Sequence, residues 1–445
     1  MIARRKLRSR LINTLLSPRV FATRRWITER RRRLLGRPHL VSVFLELDDP
    51  YSYLLSQFLP DLCACYEIEL QLHLTQALGD EFRPHADMLA IYAERDCERL
   101  ARELGVPFLD KGRAPPVEHR RTLIDVLAES EGRANFSDEL LEAIGLYWRG
   151  DSEGVARRVS GANLTGRGEV ILEKSQKLLG QLGHYNSATI HYAGEWYWGV
   201  DRLHYLIKRL DMLGARRESS VNPRLASIRQ AMQVALPITP PSSAKELPPL
   251  EYFYSFRSPY SYLSLGRVYD IADAFGLELK IRPVLPMVMR GMQVPKSKLI
   301  YIATDATREA RRLDIPFGKF ADPIGRGTER CMAAFRYALG EKRERDFLIH
   351  AGEAIWARGI DVATDKGMRK VTARTGLFWP DVKMAMQDEA WREIAEENRE
   401  AMMASGCWGV PTMRLGDAVF WGQDRSWLLV RHIEELCDSG DGILV

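Results

Sequence analysis

What the chain lacks narrows it first. Its 445 residues hold six cysteines (Cys63, Cys65, Cys97, Cys331, Cys407 and Cys437), and no two stand in Cys-x-x-Cys spacing. A disulfide-stapled scaffold and a four-cysteine zinc site are therefore poorly supported, and no metal centre is expected. Isolated thiols fit a reducing compartment, so the reading is cytoplasmic. No uninterrupted apolar run reaches about 18 residues, so no transmembrane helix is expected. A basic body is lacking too. Residues 1–40 hold 13 Lys and Arg against the single acid Glu29, so the overall +5 leaves the rest of the chain at −7. A nucleic-acid partner is not expected. What remains is an ordinary globular composition, 46% hydrophobic, 28% charged and 9% aromatic. That excludes a mainly disordered chain or a collagen, and the length makes two domains the default.

The basic segment 1–40 has no continuous apolar core before a small-residue cleavage site, so it is a poor secretory signal. Leu7, Leu11, Leu15 and Val20 with arginines between them predict a short amphipathic helix that Pro18 interrupts. Three roles stay open for it: peripheral contact with an acidic membrane surface, an organelle presequence, and a solvated arm packed on its own chain.

The chain also repeats itself. Pro50-Tyr51-Ser52-Tyr53-Leu54 recurs as Pro259-Tyr260-Ser261-Tyr262-Leu263, an offset of 209 residues. The same offset links Tyr92, Asp96 and Arg99 to Tyr301, Asp305 and Arg308, and Val106-Pro107-Phe108 to Ile315-Pro316-Phe317. Near the end of each copy, Trp198-Gly199-Val200-Asp201-Arg202 answers Trp421-Gly422-Gln423-Asp424-Arg425. A period near 200 residues points to a domain duplication, not a solenoid. Five prolines in 236–249 read as a linker. The expected division is a basic tail at 1–40, a domain at 41–213, a linker at 214–248, a second domain at 249–437 and a short tail at 438–445.

Each copy predicts the same order. A short apolar strand (41–47; 250–256) leads into a helix opened by a polar residue and proline, Asp49-Pro50 or Ser258-Pro259. A second strand follows (67–74; 277–284), and strand–helix–strand predicts parallel pairing. A long helical middle, a closing strand pair (189–197; 412–420) and a last helix complete each copy. The class is α/β: two tandem thioredoxin-like domains, each with an inserted helical subdomain.

The second copy resembles the 2-hydroxychromene-2-carboxylate isomerase group, which sits with kappa-class glutathione transferases in the DsbA-like superfamily. The resemblance rests on Phe253 to Leu263, on Arg282-Pro283-Val284-Leu285, and on Lys298, Tyr301, Asp305 and Arg308. Gly409-Val410-Pro411-Thr412 and Trp421 to Arg425 complete it. The first copy resembles the same group at lower fidelity.

The resemblance implies glutathione as cofactor. Ser258 and Ser261 stand where a DsbA-like protein carries its two cysteines, so dithiol exchange is not available there. Ser258 would instead stabilise the glutathione thiolate with its hydroxyl and the helix dipole, or serve only as a helix cap. Val410-Pro411 resembles the cis-proline loop, with the Val410 backbone pairing with the cysteinyl part. Lys298 aligns with a lysine that holds a glutathione carboxylate, with Lys296 as the alternative register. Gln423 and Asp424 match positions at the γ-glutamyl end, and Asp424 equally suits a helix cap. One departure is Gly291-Met292-Gln293 in place of the family's Gly-Asn. Gln293 is the substitute, or that contact is lost. Met287, Val288, Met289 and Met292 read either as an apolar lid for an aromatic substrate or as ordinary packing. Arg257 and Arg282 are candidates for a substrate carboxylate.

The first copy has Asp49 opposite Ser258, Leu89 opposite Lys298 and Ala188 opposite Pro411, so the same glutathione site is not expected there. It reads as a structural partner, and the tandem as a built-in pseudo-dimer. The function implied is a glutathione-dependent isomerase acting on a small aromatic or conjugated substrate. The alternatives are a kappa-like glutathione transferase or peroxidase, and a non-catalytic thioredoxin-like binding or chaperone-like protein.

Overall fold

A short apolar strand followed by a polar residue and a proline occurs twice, and each time the chain builds a four-stranded mixed sheet. The structure, a computed structural model, describes residues 13–14, 17–79, 81–108, 117–160, 166–217 and 222–439. Its contacts divide into two units, Arg24–Gln233 and the chain from Val234 onward, which also takes the described residues up to Thr23.

Ahead of the first sheet lies α1 (Pro18–Leu34), with Pro18 in its first turn; the helix expected through Leu7, Leu11 and Leu15 lies outside the described residues. Proline lacks only an N–H that a first helical turn leaves unused. The first sheet holds β1 (His39–Glu46), β2 (Ile68–Thr75), β3 (Thr189–Tyr192) and β4 (Glu195–Trp198) in the order β2-β1-β3-β4. β1 runs parallel to β2 and antiparallel to β3, and β3 forms a hairpin with β4. Between β1 and β2 the chain makes α2 (Pro50–Ser56) and α3 (Leu59–Cys65), separated where Pro60 forces a restart. α4 (Ala86–Leu104), α5 (Val117–Ser130), α6 (Phe136–Trp148), α7 (Ser152–Val159) and α8 (Gly168–Leu182) are inserted between β2 and β3. α9 (Leu203–Met212) closes the unit.

The stretch read as linker holds a helix, α10 (Pro223–Ala231). Asn222 caps it by accepting from the Arg224 and Leu225 amides, and Leu225 and Ile228 are buried, so this segment packs despite its prolines.

The second sheet holds β5 (Leu250–Tyr254), β6 (Leu279–Pro283), β7 (Thr412–Leu415) and β8 (Ala418–Trp421) in the order β6-β5-β7-β8, with the same senses of pairing. Here β5 and β6 are joined by one unbroken helix, α11 (Pro259–Phe275). α12 (Lys296–Arg312), α13 (Arg326–Gly340), α14 (Glu344–Trp356), α15 (Asp365–Thr375), α16 (Trp379–Ala385) and α17 (Trp391–Ala404) are inserted before β7, and α18 (Ser426–Ser439) closes the unit. Every residue of the central strand β5 is buried, as expected of a strand covered on both faces. Among the described residues no helix is long and apolar enough to cross a membrane, and no cluster of His, Cys, Asp and Glu could hold a metal ion.

The first unit buries histidines. His73 stacks on Phe44 at 4.6 Å, and His184 and His191 lie 4.6 and 4.7 Å from the Trp196 ring. Burial holds His73 and His191 near pKa 4 and His184 near 3. The unfolded chain takes up these protons below its ordinary histidine pKa of about 6.5 and the folded unit does not, so stability falls as pH falls through that window. Buried Glu46 acts in the opposite sense. Burial raises its pKa to about 7, so its contribution is lost as pH rises toward 7. Three histidines outweigh one carboxylate. The thermal midpoint of the full chain should therefore fall from pH 6.5 to 5, and the fall should shrink in His73→Phe, which also removes the buried unpartnered Nε2. A midpoint flat across this range would overturn the reading.

Candidate active site

The site is built where β5 hands the chain to α11. Ser258 has extended backbone angles and caps the helix, its Oγ accepting from the Ser261 amide at 3.1 Å, with Pro259 in the first turn. The hydroxyl proton points the other way, to the Val410 carbonyl at 3.4 Å, long for an O–H donor and hence weak. The Val410–Pro411 peptide is cis. A half-buried hydroxyl at the positive end of a 17-residue helix thus faces the loop before β7.

Three side chains fix this geometry. Tyr260 donates its hydroxyl to buried Asp305 on α12 at 2.9 Å, tying the start of α11 to the inserted helices. The Tyr252 hydroxyl on β5 donates to the Ser261 carbonyl at 2.8 Å. On the loop, Trp421 lies over Gly409 so closely that a Cβ there would meet its ring at 2.4 Å. Trp408 packs edge-on against Trp421, with centroids 5.0 Å apart.

Lys298, in the first turn of α12, is buried, and its Nζ lies 5.5 Å from the Trp408 ring. Burial lowers its pKa to about 8, so it remains mostly charged at neutrality. Lys296 is exposed. Sequence reasoning missed Arg290. It ends the 3₁₀ turn Met287–Arg290, and its Nη2 donates to the Trp408 carbonyl at 3.0 Å. Its Nε and Nη1 are buried with no hydrogen-bond acceptor among the described residues. Burial, with Arg399 adding to it, lowers its pKa to about 10. The one sequence signal for Arg290 is its place directly before Gly291-Met292-Gln293, where the chain departs from the family pattern.

Other candidates are engaged elsewhere. Gln423 is buried and donates to Glu309 on α12 at 2.9 Å, while Glu309 pairs with Arg312. Asp424 lies 3.6 Å from the Arg425 guanidinium. Arg257 makes a two-pronged ion pair with Asp322, and Arg282 is held by Glu251 and Asn398, so neither is poised for a substrate carboxylate. Met287, Val288 and Met289 are half-buried, and Gln293 is exposed. The structure therefore gathers Ser258, Val410 and Pro411 at one point, with Lys298 and Arg290 both on Trp408 of the same loop.

Residues 249–434 match the family model of the DSBA-like thioredoxin domain. The C-terminal half is a DsbA-like thioredoxin domain. The chain is 26% identical over 196 residues to a curated 2-hydroxychromene-2-carboxylate isomerase of Pseudomonas putida, a match covering 42% of this chain and 95% of the relative. A second relative of the same name, from Sphingobium xenophagum, is 26% identical over 184 residues, covering 40% of this chain and 93% of its own. A solved 2-hydroxychromene-2-carboxylate isomerase aligns at 26% identity with a TM-score of 0.38, covering 43% of this chain and 96% of its own. In this DsbA-like domain the helix start carries the hydroxyls of Ser258 and Ser261 and no thiol.

The first unit has the corresponding frame with different chemistry. Tyr51 donates to Asp96 at 2.8 Å as Tyr260 does to Asp305, and the Gly199 amide donates to Ala188 as the Gly422 amide does to Pro411. Yet Asp49 caps α2, Ala188 has a φ of 52°, and the loop residue before it is Ser187. The Ser187 Oγ lies 3.0 Å from both Glu46 and Asp49 and accepts from Arg83 at 2.9 Å. Two carboxylates fill the space before this helix.

Gly409→Ala should force the Trp421 ring to move and lower stability by about 1–3 kcal/mol, the usual cost of overpacking, read by chemical denaturation. An unchanged midpoint would mean that the loop gives way freely.

Proposed function

We propose that the C-terminal domain binds glutathione and acts as a glutathione-dependent isomerase of the 2-hydroxychromene-2-carboxylate type. The observation that carries the reading is the Ser258 hydroxyl at the start of α11, whose one donation among the described residues is the long bond to Val410.

The residues fit such a ligand. Ser258 would donate a hydrogen bond to a thiolate placed before α11 in place of the weak one to Val410, and the helix dipole would favour its charge. The Val410 backbone is released to pair with the incoming peptide. Lys298 supplies a buried positive charge at Trp408. Arg290 keeps two buried N–H groups without an acceptor, an arrangement that a carboxylate satisfies. When bound, glutathione supplies a thiolate that adds reversibly to a conjugated double bond, so that the bond can rotate before elimination restores it. Ser258 acts in both directions, because it stabilises the thiolate that adds and the thiolate that leaves.

The first unit takes no thiolate in this reading, since Asp49 and Glu46 would repel one. The shared Tyr51–Asp96 and Tyr260–Asp305 bonds support descent of both units from one duplicated domain.

Calorimetric titration of the full chain with glutathione tests the proposal. Saturable binding is expected, weakened roughly tenfold in Arg290→Ala or Lys298→Ala through loss of a charged contact. Ser258→Ala should cost about 1 kcal/mol of stability as a lost cap and abolish the pH dependence that thiolate formation gives to binding. Absence of saturation at millimolar glutathione in the folded wild type would overturn the reading.

A second titration isolates Lys298. S-methylglutathione has no titrating thiol, so its affinity should fall as pH rises through about 8, where Lys298 loses its charge. Lys298→Arg should keep binding at higher pH. A flat profile in the wild type would remove Lys298 from the site.

A further inference from the structure

Helix α1 is docked inside out. Its inward face carries Arg25, Thr28, Glu29 and Arg32, all partly buried. Arg25 grips both carboxylate oxygens of buried Glu195 at 2.7 and 2.6 Å, and Arg32 and Arg33 converge on Glu29. The opposite face holds Trp26, Ile27, Arg30, Arg31 and Leu34, spaced to fall on one side of a helix. Trp26 is 61% exposed, Ile27 53% and Leu34 76%, and Leu35 follows at 52%. A helix that merely packs on its own chain turns its large apolar residues inward; from Arg24 on, this one turns them outward.

The charges of the outward face are not neutralised at home. Among the described residues none of Arg24, Arg30, Arg31 and Arg37 has a carboxylate partner, and Arg30 lies over the Trp26 ring at 5.4 Å. Residues 24–37 carry seven arginines and one acid, and residues 1–23 of the sequence add six more basic residues.

We propose that the exposed face of α1 is a docking surface for an anionic lipid bilayer, with Trp26, Ile27 and Leu34 entering the headgroup boundary and the arginines meeting lipid phosphates. Large apolar side chains interleaved with arginine, on a helix of low overall hydrophobicity, are what such an interface selects. A nucleic acid matches the arginines but leaves Trp26, Ile27, Leu34 and Leu35 uncovered, and the chain beyond residue 40 is net −7. Each arginine near an anionic surface is worth about 1 kcal/mol, or roughly fivefold in partitioning. The proposal does not depend on the glutathione reading.

Co-sedimentation of the full chain tests it, using phosphatidylcholine vesicles and vesicles of phosphatidylcholine with phosphatidylglycerol in about a 7:3 ratio. Binding is expected to the mixed vesicles only, and to weaken as salt rises. Arg30→Gln/Arg31→Gln should lower partitioning roughly 25-fold, two arginines at about fivefold each. Trp26→Ser/Ile27→Ser should lower it while leaving the salt dependence in place. All four side chains are exposed, so circular dichroism should show both variants folded. Binding to neither vesicle, equal binding to both, or tighter binding to a random-sequence DNA duplex at the same salt would each overturn the proposal.

Discussion

The geometry of the candidate site hangs on Glu251. This carboxylate is buried on the central strand β5, and guanidinium groups from both neighbouring strands, Arg282 on β6 and Arg414 on β7, close on it. A buried carboxylate is costly unless it is fully paired, so the triad is satisfied only when all three strands stand in one register. Asn398 of α17 extends the lock by accepting from Arg282 and donating to the Pro283 carbonyl. β5 leads to Ser258 and β7 begins directly after Pro411, so fixing these strands sets the hydroxyl opposite the loop. A slip of one residue between β5 and β7 would carry Val410 away from the helix start altogether.

The two halves show how little must change to convert such a frame. Tyrosine anchors, sheet order and the glycine bond that closes the loop recur in both. At the start of the first helix the two differ in the capping residue and in the loop it faces. In one unit a neutral hydroxyl is held by a long bond. In the other, Asp49 and Glu46 share the Ser187 hydroxyl, and Arg83 pairs with Glu46 and donates to Ser187, a polar network closed on itself. An open donor invites an anionic ligand, whereas a completed network has nothing left to offer one.

Strand order and helix starts were legible in the sequence because each depends on short local patterns, whereas the Ser258–Val410 juxtaposition, 152 residues apart, was implied only by the family resemblance. Alternating apolar residues, Ser-Pro and Asp-Pro at helix starts and the 209-residue offset all survive without long-range knowledge. Arg290 was not legible. Its significance comes from burial beside Trp408, 118 residues away, and no spacing rule reports that. Gln423 is the opposite case. Its position matched a binding motif, yet its amide is occupied by Glu309, a partner visible only in three dimensions.

The absence of a thiol at the start of α11 has an electrochemical meaning. A thioredoxin-type domain with cysteines at that helix start carries a reduction potential of its own and must be matched to the potential of its surroundings. With hydroxyls there, this one has no such couple. The cysteines it does have are isolated, and Cys331 is buried in a setting that pushes its thiol up to about 12, far from the thiolate that exchange requires. The helix start therefore has the same covalent form under oxidising and reducing conditions.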